Sequence, residues 1–587
     1  MNSETKQCQK CKQDFVIESD DFEFYKKMKV PVPTWCPECR LQRRLNWVSP
    51  RSVYPRLIDG KPTISMYAPG KNYNVVEDYK WWGDAFDMMS YGQEYDFSKP
   101  FFEQFDGLLR RAPLPHLQRQ YATFENSDYC NGASYLKNCY LVFGADDCEN
   151  VMYGDGMVRV KDCLDVKFVY DSELSYENLM ITKCYRCSFC QDVEGSNDLV
   201  FCQDCVGCNN CVGCFGLRNK AYHIFNKSYS KEDYQEKIKE FNLGSFSATE
   251  KLRQEADKFF LLQPHKFIHG RHNKDVLGDY LYNSKNTHDA FRVNQVENCR
   301  FVFGLDQFGG GTTNSYDFSW FGNNSELMYE AAWCGNGVSN IRFSAWNYNA
   351  MDLQYCYGCH NSQHLFGCVG IRSKSYCILN KQYTKEEYEA LVPKIIEHMN
   401  VTVYADKKGR IYKYGEFFPA EISPFSYNET MAHEFIHRSR QQVESFGYSW
   451  YDRSERNLKP EISWKELPDH IDDVGDELAG KLILCKSFEE DHLEASEHNC
   501  TEVFKLTPKE IDFYRKLKIP LPRFCPNSRY YIRLGKLNPM KIWHRQCMCE
   551  KNHLHHAGRC ANEFETSYAP DRPEIVYCEH CYQAEVA

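Results

Sequence analysis

The sequence predicts a mainly β protein with helices: two duplicated β-solenoid-like (parallel β-helix-like) domains flanked by duplicated zinc-ribbon modules. Three observations lead there. The string FYKKMKVPVPTWCP, Phe24 to Pro37, returns as FYRKLKIPLPRFCP, Phe513 to Pro526, and the register runs without a gap from Cys11–Arg56 onto Cys500–Arg545. A second duplication fills the middle. Cys214–Tyr222 leading into Asn226–Tyr234 parallels Cys368–Tyr376 leading into Asn380–Tyr388, and upstream Lys137–Gly144 and Ser172–Glu177 parallel Glu297–Gly304 and Ser325–Glu330. Within each central copy, short strand-like pieces such as Tyr140–Phe143, Asn150–Tyr153 and Val166–Tyr170 are punctuated by Asn, Asp, Gly and Cys, with no amphipathic helical period from about Tyr121 to Leu217. Short strands at fairly regular intervals suit stacked coils that bury a common core and need a cap at each end. A pair of β-sandwiches is the other arrangement this pattern allows.

Taken in order, residues 1–82 form an N-terminal tandem zinc-ribbon module whose second ribbon lacks cysteine, and 83–120 a helical connector. Residues 121–241 are the first β-solenoid-like repeat with its closing helix, 242–278 a helical linker and 279–400 the second repeat with its helix. Residues 401–484 are a linker with helices, and 485–587 a C-terminal tandem zinc-ribbon module with a degenerate first ribbon. Ser230-Lys-Glu-Asp and Thr384-Lys-Glu-Glu read as capping boxes, Ser or Thr at the N-cap with an acid three residues on. Tyr388, Leu391, Ile395 and Ile396 give the second closing helix an apolar face. Further helices are expected at about Phe101–Leu109 and Thr249–Phe260.

A chain of 587 residues exceeds one core, and 30 cysteines is its outlying number. Many fall in C-x-x-C pairs, which in a large chain point to metal and a reducing compartment. The N-terminus has no apolar signal region and no apolar run spans a bilayer, so a cytoplasmic protein without a membrane partner is expected. The net charge of −10 argues against a basic coat over the whole surface, though not against a local patch.

Cys8-x-x-Cys11 and Cys36-x-x-Cys39 supply four thiolates in two knuckles, the donor set of a closed, tetrahedral, structural Zn²⁺ site. The C-terminal copy retains only Cys500 and Cys525 of that set: Glu497 aligns with Cys8 and Ser528 with Cys39. Cys485, His492 and His498 lie near enough to compensate, but the expectation is that this ribbon has lost its metal and persists on its Phe and Pro core. The resemblance between the ends continues from Ser65–Lys80 onto Thr566–Cys581, so Cys578 and Cys581 belong to a second ribbon in which the N-terminal copy carries Glu77 and Lys80. Cys560 is the best third ligand there and Cys549 or Cys547 the fourth, with His553, His555 and His556 as alternatives. About two structural zinc ions per chain follow.

The central cysteines read differently. Cys202, Cys205, Cys208, Cys211 and Cys214 form an unbroken C-x-x-C series, yet only Cys202, Cys205 and Cys214 have counterparts, at Cys356, Cys359 and Cys368. A core ladder of small apolar thiols is the favoured reading, and a metal site the alternative. His433-Glu434-x-x-His437 matches the H-E-x-x-H pattern in which Glu434 would be the catalytic base, with Glu444 and Glu455 available as a third ligand; two surface histidines on a helix is the plainer reading. Lys26, Lys27, Lys29, Arg40, Arg43 and Arg44, interleaved with aromatic residues, form a candidate nucleic-acid surface or a solvated charged face.

Phe24-Tyr25 through Arg40, Trp81–Asp84, Asp96–Phe105, Asn380–Tyr388, Ser423–Thr430 and Tyr568–Cys578 together resemble an uncharacterised family of large Cys-rich zinc-ribbon proteins from uncultured small-genome bacteria. The resemblance covers nearly the whole chain. It implies no activity, and the H-E-x-x-H string and the incomplete ribbon at Cys500 depart from the family pattern. The expected function is therefore a zinc-binding, non-enzymatic macromolecule-binding or scaffold protein, contacting RNA or a ribonucleoprotein through its terminal ribbons. The alternatives are a β-helix carbohydrate-active enzyme, with Asp146, Asp147, Asp155 and Asp171 as candidate acids, or a zinc metallopeptidase.

Overall fold

The computed structural model describes residues 2–305, 310–452 and 458–586; Glu455 lies outside them. The architecture is mixed β with helices, 26% helix and 31% strand, and nearly all of the long-range pairing is parallel. Seven parallel strands between Phe124 and Glu194 form one sheet, continued by pairings from Asn197 to Ile224. A second sheet of 13 strands runs from Gly270 to Gln382, and six of its strands between Lys285 and Ala332 close into a parallel barrel.

The register explains the first sheet. Asp155 pairs with Lys167, Lys167 with Leu179 and Leu179 with Gln191, a constant step of twelve residues. Within each step one residue in three points inward: Cys130, Ala133, Leu136, Cys139, Val142, Ala145 and Cys148 begin a buried series that ends at Cys214. The intervening corners are left-handed at the same spacing, at Tyr135, Asn138, Leu141, Gly144, Asp147 and Asn150. Left-handed backbone is costly for most L-residues and least so for Gly, Asn and Asp, which accounts for the punctuation by those residues. The Asn corners also stack: Asn126 donates to Asn138 (3.1 Å), Asn138 to Asn150 (3.2 Å) and Asn150 to Asp162 (2.8 Å), each twelve residues on. The second stack keeps the step of twelve from Ser339 to Ser375 but takes thirteen from Glu326 to Ser339 and sixteen from Val296 to Thr312, so its turns carry small insertions.

The closing helices form at Lys231–Glu240 and Lys385–Val401. Thr384 and Glu387 complete a capping box, whereas Ser230 accepts from Asp233 N–H without the reciprocal bond. Helices at Phe101–Arg111 and Phe246–Leu261 lie where the sequence places them. Residues 401–484 are less of a linker than expected, since Tyr412, Phe417, Phe418, Tyr427 and Met431 are buried in the core of the second stack.

The ends of the chain dock crosswise. The N-terminal module packs on the second stack, with Phe24 stacked on Tyr316 (3.9 Å between ring centroids) and Trp81 on Trp346 (5.3 Å). The C-terminal module packs on the first: Tyr514 meets Tyr176 edge-on, and Lys167 Nζ donates to Tyr530 Oη at 2.6 Å. Buried ion pairs lock both joints. Arg40 Nε and Arg44 Nη1 reach Asp317 at 2.9 and 2.8 Å, and Arg43 pairs with Glu330 and Glu416. Arg529 and Arg533, the residues that align with Arg40 and Arg44, reach Asp165 at 2.9 and 3.2 Å.

Candidate metal centres

At the N-terminus the strand Glu4–Gln7 pairs antiparallel with Asp14–Ile17, and the turn between them carries Cys8 and Cys11. Cys36 is the N-cap of the helix Pro37–Leu45 and Cys39 lies in its first turn, where the positive end of the helix favours thiolates. The four Sγ atoms all lie within 4.8 Å of one another, and Cys11 Sγ stands 3.7 Å from Cys36 Sγ. Zn–S bonds of 2.3 Å at tetrahedral angles imply a sulfur separation of about 3.8 Å, so the cage is of metal-binding size. Thiol hydrogen bonds from Cys36 and Cys39 hold Cys8 far below the ordinary thiol range. Lys10 is buried against the cage, its ammonium over the rings of Phe446 and Tyr448, and offers positive charge beside four thiolates. Its desolvation brings it down to about 8, with Cys39 opposing.

The C-terminal cage comprises Cys547, Cys560, Cys578 and Cys581, all buried and again within 4.8 Å of one another. Of the two thiols expected at the fourth position, Cys547 belongs to this set. Cys549 instead faces His553 Nε2 at 3.3 Å and belongs to a neighbouring group with His553, His556 and Cys581; Cys581 is common to both.

Backbone geometry shows why Cys547 is the first ligand. In the N-terminal knuckle Cys8 N–H donates to the carbonyl of Gln13, two residues past the second cysteine (2.9 Å). Gln9 N–H donates to Thr34, two before the third (3.0 Å), and Cys36 N–H donates to Cys8 Sγ (3.2 Å). In the C-terminal cage the matching bonds are Cys547 to Asn562 (2.8 Å), Met548 to Val576 (3.0 Å) and Cys578 N–H to Cys547 Sγ (3.2 Å). Aligned on Cys578, these offsets would have found Cys547; sequence spacing alone hides it, because twelve residues separate Cys547 from Cys560 where two separate Cys8 from Cys11.

The same geometry appears a third time. Cys485 N–H donates to Glu502 (2.8 Å), Lys486 to Arg523 (3.0 Å) and Cys525 N–H to Cys485 Sγ (3.1 Å). Cys485, and not Glu497, therefore stands in the place of Cys8, with fourteen residues looping out before Cys500.

The central cysteines line the interiors of the two sheets. Cys202, Cys205, Cys214, Cys356, Cys359 and Cys368 all point inward, and their C-x-x-C spacing is the three-residue period of the stack. Each thiol donates to the carbonyl two residues back, and Cys202, Cys205, Cys359 and Cys368 also to the carbonyl nine residues on. Burial pushes Cys202 and Cys356 up, which keeps them neutral thiols in the interior. The H-E-x-x-H string does not assemble a peptidase site. Its helix, Met431–Phe435, ends before His437, and His433 Nε2 donates to the carbonyl of Glu497 at 3.0 Å. Glu434 turns away into the interior, accepting from Tyr530 Oη at 2.6 Å and lying 3.9 Å from Lys167.

The basic surface divides. Lys26, Lys27 and Lys29 are exposed, but Arg40, Arg43 and Arg44 are fully inside their ion pairs and Trp35 and Trp47 are core residues, so the expected cationic and aromatic platform is not a surface. The candidate acids are likewise scattered: Asp155 pairs with Lys167 (2.6 Å), Asp171 with Arg159 (2.5 Å), Asp146 accepts from Ser134, and Asp147 is an exposed corner. Among the described residues no helix is long and apolar enough to cross a membrane. No protein-family model, curated protein or solved structure matches the chain.

Proposed function

We propose that the protein is a zinc-binding, non-enzymatic scaffold of the cytoplasm, built from two duplicated β-solenoids that its terminal ribbons clamp, and a member of the Cys-rich zinc-ribbon family it resembles. The crossed joint carries this reading. The repeated ribbon helix delivers the same two arginines, Arg40 and Arg44 at one end and Arg529 and Arg533 at the other, into a buried aspartate of a parallel stack. Tetra-thiolate cages beside such joints suit a structural ion, since four protein ligands leave no position for substrate. The scaffold presents a macromolecular partner with a long repetitive surface, and RNA or a ribonucleoprotein meets the exposed lysines Lys26, Lys27 and Lys29. Elemental analysis of the full chain should find zinc, and an RNA probe at low salt should shift with the wild type and less with Lys26, Lys27 and Lys29 changed to Glu. A metal-free protein overturns the zinc reading, and no shift of any RNA or DNA probe overturns the nucleic-acid part.

One observation favours a second reading, a carbohydrate-active enzyme. A cleft of about 840 Å³ where the two sheets and the C-terminal module meet is lined by Asp192, Asp204 and Arg218 from the first sheet, His269 and Tyr280 from the start of the second, and Tyr568 and Tyr582 from the C-terminal module. Burial raises Asp192 to about 6 against the pull of His269, within the range of a general acid. Glycan hydrolysis that disappears in Asp192→Asn would support it.

A further inference from the structure

The third knuckle is the ribbon that sequence comparison writes off, and its geometry is that of a cage with one corner changed. Cys485, Cys500 and Cys525 lie within 4.8 Å of one another, with Cys485 and Cys525 buried and Cys500 half-buried. Cys500 Sγ is 3.6 Å from Cys525 Sγ, against 3.7 Å for the corresponding Cys11 and Cys36. The fourth corner belongs to Ser528, fully buried in the first turn of the helix Pro526–Leu534, where Cys39 sits in the other copy. Its Oγ stands 3.3 Å from Cys525 Sγ and 3.8 Å from Cys485 Sγ. A tetrahedral ion with Zn–S of 2.3 Å and Zn–O of 2.0 Å places oxygen and sulfur about 3.5 Å apart, so the corner has the spacing of an oxygen ligand.

The first ligand is the informative one. Cys485 lies outside the gap-free repeat, and fourteen residues must loop out to bring it to the corner that Cys8 fills two residues before Cys11. The chain nevertheless rebuilds around it the three bonds that hold Cys8 at its corner, from Cys485 to Glu502, from Lys486 to Arg523 and from Cys525 to the Cys485 thiol. The strand Ile483–Leu484 also pairs with Val503–Phe504 in the register that Lys6–Gln7 takes with Asp14–Phe15. A ribbon that persisted only on its apolar core would have no reason to seat a thiol from a distant segment at that corner. We propose that Cys485, Cys500 and Cys525 bind a third thiophilic divalent cation, Zn²⁺ by its chemistry, with Ser528 Oγ or a water at the fourth position. Three thiolates and a weak oxygen ligand make this the exchangeable site of the protein, whereas the all-sulfur cages are closed.

The test is a zinc count on the full chain, joined to release under a chelator. The wild type should carry three ions, one lost much faster than the others, and Cys525→Ala should carry two. Ser528→Cys, which completes the fourth sulfur and disrupts nothing, should keep three and release all of them slowly. Cys8→Ser and Cys560→Ser report on the terminal cages in the same count, so failure of those cages is read separately from failure of this one. A wild type whose count does not fall in Cys525→Ala overturns the proposal. So does a third ion that appears only in Ser528→Cys, which would show that the serine has abolished the site.

Discussion

Asp317 is the residue on which the N-terminal joint turns. It is inaccessible to solvent and accepts from Arg40 Nε at 2.9 Å and Arg44 Nη1 at 2.8 Å, both guanidinia being buried too. Asp317→Ala leaves two cations in a dry interior, and breaking a buried pair in this way costs about 3–5 kcal/mol. Glu330, at 3.5 Å from Arg44 and 3.9 Å from Arg40, keeps the loss near that of a single pair. The chain is too large for one two-state transition, so the measurement should be local. Amide exchange in the helix Pro37–Leu45 should accelerate by about a hundredfold to a few thousandfold at 1.4 kcal/mol per decade, with the helix Pro526–Leu534 unchanged. Asp165→Ala should give the mirror result. Asp171→Ala, which breaks the exposed pair with Arg159, should cost at most about 1 kcal/mol. Replacing one pair together, with Arg44→Met and Asp317→Leu, should recover most of the loss, because Arg40 and Arg43 keep Glu330 and Glu416 opposite them and the buried cluster stays neutral. If Asp317→Ala accelerates exchange no more than Asp171→Ala does, or does so equally at both ends, the clamp as described is wrong.

Three further outcomes follow from the geometry. Cys547→Ser should lower the metal content by one ion while Cys549→Ser leaves it unchanged, read by elemental analysis; the reverse result would restore Cys549 to the cage. Cys205→Ala should leave the metal count intact and cost about 1–2 kcal/mol for lost packing, seen as faster exchange in the first stack, because its thiol is a core group. His269 carries a pH signature. Desolvation lowers it, but Asp279, 3.0 Å away, and Asp192 outweigh that and raise it to about 9. A cation whose folded pKa is raised contributes stability in full below about 6.5 and loses it as pH climbs through 9. His269→Gln should therefore destabilise the contact between Asp192 and the strand Lys274–Tyr282 by up to about 3 kcal/mol at pH 6 and by little at pH 10, measured as amide exchange in that strand.

The sequence carried much of this in local form. The cluster at Cys8 to Cys39 was legible because its four thiols sit in two short turns with fixed spacing. The strand-and-turn rhythm of the middle was legible as well. Its three-residue inward period was not, because strand and helix patterns have periods of 2 and 3.6 and a C-x-x-C run imitates a ligand knuckle. The basic patch misled for a related reason: composition places Arg40, Arg43 and Arg44 near one another but does not say that Asp317, Glu330 and Glu416 lie across from them.

What the sequence alone determined, then, is whatever depends on neighbours along the chain: the corner residues of each turn, the helix caps and the paired C-x-x-C turns at Cys8 to Cys39. Tertiary structure decided which sheet each terminal module packs on, and which cysteines gather at each cluster: Cys547 with Cys560, Cys578 and Cys581, and Cys485 with Cys500 and Cys525. Loops of twelve and fourteen residues separate those thiols from their partners, and closing such a loop costs little more entropy than closing a short one, so spacing could not rank the candidates. Only the backbone hydrogen bonds around each corner distinguish the cysteine that is held there from one that is merely nearby.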